Sequence, residues 1–341
     1  MAQEFEFRPF SISGALVRIV IVIVALLTSL SFLALLISPQ TTVFFQWIGL
    51  LLPALVGGNL LFLIIGLYRR SWYSICPLIA LLANFHYFAK IIQVNSMEHN
   101  ETADIRLASY NVREFKMIYN LSSMEQIASY IESQQVNTLC LQEVPAECSA
   151  SELKEVFGQF PYLIMTESNS GNNQLAILSK FPLDSVQTVS FEERPNCAIF
   201  ADLSFKGEKI RIGTCHLQTT NWNQVKGNLL AAENVVVKWW SAIKTMSGNF
   251  RLRGAQADCL RNIIDKSPFP TLICGDFNNS PNSYSYHKIK GNLKDAFCEA
   301  GNGYSYTYAY LMKLFRIDFV FFSGNEFRAI NYSTGNVDYS D

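Results

Sequence analysis

Residues 274 to 279 read Cys-Gly-Asp-Phe-Asn-Asn and follow directly on the short apolar run from Thr271 to Ile273. A strand that ends in Gly-Asp-x-Asn sets a carboxylate and a carboxamide on one side of a turn, within reach of a phosphate or of a water held at a metal. The same residues also make an ordinary turn, so their weight comes from their company. Further strand-like runs end in a residue able to do chemistry. Residues 105–110 alternate and reach Asn111, and residues 138–141 close on Gln142 and Glu143. Residues 210–215 deliver His216, and Arg316-Ile317-Asp318 opens an apolar strand through Phe322. Open α/β sheets place their sites beyond strand ends, so these side chains can converge on one cleft although they lie far apart in the chain.

The chemistry that such a set serves is phosphoester hydrolysis. It needs an activated water, an in-line approach and neutralisation of charge on the phosphoryl oxygens. Carboxylate and amide oxygens are hard ligands that suit Mg²⁺. An imidazole titrates near neutrality, which fits His216 to donate a hydrogen bond to the phosphate or a proton to the leaving oxygen. Arg113 reads either as a substrate-binding contact to phosphate or as a solvated surface charge.

Taken in order, Asn111, Gln142-Glu143, His216, Gly275-Asp276-Phe277-Asn278, Arg316-Ile317-Asp318 and the closing Ser340-Asp341 resemble the motifs of the endonuclease/exonuclease/phosphatase family, over roughly residues 104 to 341. The family includes DNase I-like nucleases, abasic-site endonucleases, deadenylases, inositol phosphatases and sphingomyelinases. The resemblance implies an α/β fold, a DNase I-like, four-layer, two-sheet sandwich, that cleaves phosphoester bonds with a divalent cation, Mg²⁺ or Mn²⁺. It implies Glu143 as principal metal ligand, Asn111 as support for the metal or the phosphate, and Asp341 among the metal's donors. Asp276 and Asn278 match the residues that orient the attacking water and hold a phosphoryl oxygen. Asp318 matches the residue that fixes the tautomer of a second histidine, which follows the Ser-Asp pair in the family. Here the sequence stops at Asp341, and His86, His99 and His287 lie outside the matched positions. The expectation is a fragment whose continuation supplies that histidine. The alternative is a catalytically silent binding module that retains the fold at a membrane.

Half of the residues are apolar and 16% are charged, with the apolar excess at the front of the chain. Residues 19–37, 43–67 and 74–92 are each about long enough to cross a bilayer core, for which roughly 20 apolar residues are needed. Pro53, Gly57 and Gly58 are tolerated in membrane helices. Residues 1–92 are therefore expected to form a three-span membrane anchor. Arg8 and Arg18 precede the first span, Arg69 and Arg70 separate the second from the third, and residues 38–42 carry no charge. That pattern puts the N-terminus in the cytoplasm and everything past Ile92 outside, giving an integral inner- or plasma-membrane protein with an extracytoplasmic catalytic domain. Residues 93–104 read as a polar linker, and residues 105–341 as one large-cored domain.

Within that domain an amphipathic helix is expected from Ser122 to Gln134, and further strands over 173–178 and 197–203. Residues 221–266 look like two helices, 224–244 and 252–265, inserted after His216 so as to overhang the cleft. Trp239 and Trp240 fit packing, a lipid surface or a stacked base. Tyr304, Tyr306, Tyr308 and Tyr310 alternate along a short segment and line a groove or a strand. The eight cysteines show neither a zinc spacing nor a disulfide framework. A formal net charge of -1 supplies no basic tract for a long nucleic-acid footprint, which leaves nucleic acid and phospholipid headgroup both open as substrates.

Overall fold

The computed structural model describes residues 12–95, 102–116, 123–167, 173–191, 197–220, 235–308 and 313–335. The chain begins with helices α1 (Ile12–Leu30), α2 (Leu33–Leu36), α3 (Phe44–Tyr68), α4 (Ile75–Ala83) and α5 (Phe85–Ile91). The run from Gly14 to Leu36 and the helix α3 are each long and apolar enough to cross a membrane, whereas α4 and α5 are bent by 50° and pass the same test only as a pair. Where one continuous third span was expected, the chain thus forms two shorter helices with a bend between them. The break falls at Asn84, whose amide nitrogen donates to the carbonyls of Ala80 and, at 2.7 Å, of Thr28. Its amide oxygen accepts from Ser31 Oγ at 2.6 Å. Asn59 Nδ2 adds a 2.6 Å bond to Thr28 Oγ1, so a buried polar seam joins these helices where apolar contact alone would set no register.

Two larger sheets pack together in the remaining described residues. The smaller has the order β2 (Leu107–Asn111), β3 (Thr138–Val144), β5 (Gln174–Ser179), β4 (Tyr162–Met165), with β2 and β3 parallel. The larger runs β10 (Lys294–Asp295), β12 (Asp318–Phe322), β9 (Thr271–Asp276), β8 (Glu208–His216), β7 (Cys197–Phe205), β6 (Leu183–Ser190), with β8 and β9 parallel. Period-two alternation sorts the side chains. Cys140 and Ile177 of the small sheet meet Ile199, Ile212 and Cys274 of the large one in the central layer. On the outer face of the small sheet, Leu139, Leu141 and Leu178 pack on α6 (Ser123–Ser133) and α7 (Ala150–Val156). On the outer face of the large sheet, Phe200, Cys215, Ile273 and Phe319 pack on α8 (Val235–Asp265) and α9 (Tyr284–Lys290). The result is the four-layer α/β sandwich expected, with two apolar helices and a bent third pair ahead of it.

Two local features depart from expectation. The two helices expected over 224–265 are, within the described residues, one continuous helix α8; positions 224–234 lie outside them. Ser247, Gly248 and Asn249 look like a break, but Met246 and Phe250 are buried and hold the turn between them, while Asn249 Nδ2 donates to Thr220 O. Tertiary packing overrides the weak local propensity. In addition, residues at the edge of the stretch read as a linker are structured: β1 (Ile92–Val94) pairs antiparallel with β11 (Asn302–Tyr304). Asn95 Nδ2 then donates to Gly301 O at 2.9 Å, beside helix α10 (Ala296–Ala300).

Candidate active site

Strand register brings the polar ends together. In the parallel pairs Asn111 aligns with Gln142 and His216 with Asp276, and across the antiparallel neighbour Asp318 aligns with Asp276. Gly275 makes the closest of these approaches possible. Its φ is +135°, and a Cβ there would overlap the carbonyl oxygen of Cys215, so only glycine lets β9 lie this near β8. Glu143 is turned out of the strand by a bulge, where the β3–β5 register shifts between Leu141 and Val144 and Glu143 takes a left-handed φ of 57°. Gln142 points the other way and locks the sheets together, donating to Thr214 Oγ1 at 2.8 Å. Asn278 is also left-handed, at φ 50°; its N–H donates to Asp276 Oδ1 at 2.7 Å and its Nδ2 to Leu217 O at 3.1 Å.

Three of the expected residues meet directly. Glu143, His216 and Asp276 each offer one ligand atom, and these atoms lie within 4.8 Å of one another. His216 Nε2 is 3.4 Å from Glu143 Oε1 and 4.0 Å from Asp276 Oδ2, yet it is buried without an aligned hydrogen-bond partner among the described residues. Asn111 bridges the two carboxylates, its Nδ2 donating to Glu143 Oε1 and to Asp276 Oδ2, each at 3.1 Å. The Asn111 oxygen accepts the N–H of Arg113 at 3.0 Å. Burial pushes the Asp276 carboxyl above its ordinary value and the Glu143 carboxylate adds to this, while His216, the Asn278 N–H and Asn111 pull it back. Two carboxylates facing one buried imidazole nitrogen are a donor set suited to a divalent cation: the ion would relieve the carboxylate repulsion and take up oxygens that the protein leaves facing each other.

Arg113 and Asp318 line the same cleft as Asn111, Glu143, Asp276 and Asn278. The Asp318 backbone N–H donates to Thr307 Oγ1 at 3.0 Å. Asp341, like Ser122 and Tyr310, lies outside the described residues. One charged residue escaped the sequence reading. Arg253 of α8 is 1% exposed and lines the cleft, donating from Nη1 to Gln218 O at 2.9 Å, while its Nε has no partner among the described residues. Burial pushes its pKa down to about 10, against the pull of Asp276. Its signal was positional: Arg253 falls on the stripe continued by Ala257, Leu260 and Ile264, where an apolar residue belongs.

Residues 108–341 match the profile of the Endonuclease/Exonuclease/phosphatase family, and residues 14–91 match one described as a domain of unknown function (DUF8431). No curated protein matches the chain. Among solved structures, truncated TDP2 of Caenorhabditis elegans is similar at 19% identity, with 64% of this chain and 84% of that one covered and a TM-score of 0.45. The human Nocturnin catalytic domain with bound sulfate gives 19% identity, coverage of 64% and 82%, and a TM-score of 0.45. An endonuclease/exonuclease/phosphatase from Bacteroides vulgatus gives 16% identity, coverage of 64% and 87%, and a TM-score of 0.44.

Proposed function

Because the chain belongs to the endonuclease/exonuclease/phosphatase family, we propose that it is a membrane-anchored phosphoesterase that hydrolyses phosphodiesters with Mg²⁺ or Mn²⁺. The observation that carries this reading is the meeting of Glu143, His216 and Asp276, from three separate strands, around a space bridged by Asn111. Glu143 would hold the ion, with Asp341 as a further donor, and Asn111 sets the spacing of the carboxylates. When bound, the divalent ion supplies charge neutralisation at the phosphoryl oxygens.

The remaining work falls to side chains. Asp276, held by the Asn278 N–H, accepts a hydrogen bond from the attacking water and orients it in line. Asn278 and Arg113 hold phosphoryl oxygens. His216 carries the proton that the leaving oxygen needs, and Asp318, next to Asp276 across the strands, orients groups at that end of the cleft. The apolar helices would fix the protein in a membrane with the catalytic domain on the outer side, as the distribution of Arg8, Arg18, Arg69 and Arg70 favours.

The test uses the purified full chain in detergent with bis(p-nitrophenyl) phosphate and Mg²⁺. Glu143→Gln and Asp276→Asn are each expected to lower the metal-dependent rate roughly 100-fold or more while the thermal transition stays in place. Unchanged rates in both variants would overturn the assignment.

A further inference from the structure

The cleft that holds Glu143 and Asp276 does not stop at the catalytic groups. It continues past Asn278 and Arg253 along Phe250 and Met246 of α8 to Leu50 of α3. Leu50 stands six residues inside α3, roughly 9 Å along its axis at 1.5 Å per residue. At this end the cleft therefore reaches a helix apolar enough to cross a membrane, which contributes Leu50 to its lining.

The junction is tightly built. The Phe250 ring packs edge-on against Trp47 of α3, with centroids 5.4 Å apart and planes at 88°. Trp47 Nε1 donates to Ser247 Oγ at 3.1 Å, and Gln40 Nε2 donates to Arg251 O at 2.8 Å. Ala242 and Met246 bury themselves against Trp47 and Leu50. Past that contact the first turns of α8 carry Val236, Val237, Trp239, Trp240 and Ile243 into the open, with the two tryptophans 60% and 70% exposed. The charges in this stretch are Lys238 and Lys244, both cationic. Exposed tryptophans among lysines, on a helix packed against an apolar one, have the composition of a segment that lies in a lipid interface and meets anionic headgroups.

We infer that the phosphodiester this site takes is the headgroup of a bilayer phospholipid, drawn into the cleft past Leu50, Met246 and Phe250 while the first turns of α8 rest on the lipid. The inference rests on the phosphoesterase reading above and narrows its substrate. Cations such as Arg113, Lys116 and Arg328 line the cleft elsewhere, and a nucleic acid held beside α8 would need them along this arm too to follow its backbone. Beyond Arg253 the wall offers aliphatic and aromatic carbon instead, which suits the glycerol and upper acyl region of a lipid. In the reaction, the oxygen of water bonds to phosphorus and one P–O ester bond breaks. The departing alkoxide takes a proton, leaving a phosphomonoester and an alcohol.

The experiment reconstitutes the full chain into vesicles of phosphatidylcholine and phosphatidylglycerol with Mg²⁺. It reads the release of water-soluble headgroup, and in parallel the hydrolysis of bis(p-nitrophenyl) phosphate and of single-stranded DNA in detergent. Headgroup release is expected, and Trp239→Ser together with Trp240→Ser, which lie outside the cleft, should lower it roughly tenfold while leaving hydrolysis of the small soluble diester unchanged. Hydrolysis of the small diester without headgroup release would overturn the lipid inference and leave the phosphoesterase reading standing. DNA cleaved in preference to lipid would do the same. Failure on all three substrates would remove both.

Discussion

Asp295 and Arg316 form an ion pair with both side chains wholly out of solvent, and the consequence of removing one charge can be worked from their surroundings. Arg316 donates to Asp295 at 2.7 and 3.0 Å, and its guanidinium lies between the rings of Phe297 and Phe319 at 4.7 and 4.6 Å. Asp295 also accepts from Tyr286 Oη at 2.7 Å and from the N–H of Phe297 at 3.0 Å, where it caps α10. Asp295→Asn keeps the volume and part of the cap but strands a buried guanidinium without its counter-charge. Breaking such a pair from one side costs about 3–5 kcal/mol. At about 2–4 °C per kcal/mol for a domain of this size, the thermal midpoint should fall by about 6–20 °C. The assay is thermal unfolding of the full chain in detergent, followed by near-ultraviolet circular dichroism. Asp295→Asn combined with Arg316→Met removes both charges while leaving a side-chain oxygen for the Tyr286 hydroxyl or the cap, and should recover most of the loss, because the pair gains little over well-packed apolar groups. A drop of less than about 3 °C in Asp295→Asn, or a double variant less stable than the single one, would refute this account.

Two further outcomes follow from the site. Gly275→Ala should cost more than about 1 kcal/mol and lower turnover at least about tenfold, since its Cβ and its φ of +135° force β9 away from β8 and carry Asp276 with it; urea unfolding and diester hydrolysis check both effects. The raised Asp276 carboxyl binds its proton more tightly in the folded than in the unfolded protein. In metal-free protein that contribution is full below about pH 4 and is lost as pH rises through the raised value, so stability falls on that side; Asp276→Asn should flatten the slope seen in urea titrations as pH rises above about 4.

The convergence of the site's polar residues was readable in the sequence because each of them ends a strand whose alternation is plain. His216, Asp276 and Asp318 then line up through register within the large sheet, which two-residue periodicity fixes once one face is buried, whereas Asn111 of the small sheet reaches Asp276 only because the two sheets pack face to face. Glu143 is different. Its type was legible, but the bulge that turns it toward His216 depends on the mismatch with β5, a strand more than thirty residues downstream. Arg253 was not legible as a cleft residue, since nothing local says that the core stripe of α8 passes beside Asp276. The break at Asn84 was equally hidden, because it arises from bonds to Thr28 and Ser31 on another helix. Continuity of α8 through Gly248 required Trp47, some two hundred residues away, to anchor Ser247 and Phe250.

The short ribbon between β1 and β11 has a mechanical meaning. Arg316 Nη2 donates to Lys90 O at 3.1 Å, and Thr307 Oγ1 accepts from the N–H groups of both Ile317 and Asp318, so the end of the last apolar helix, the ribbon and the strand bearing Asp318 are bolted in sequence. A head mounted this way does not swing on a leash. The cleft is therefore held at a fixed distance and angle from the apolar helices, and any reorientation of those helices would be carried as by a lever to the strands that bear Asp276 and Asp318.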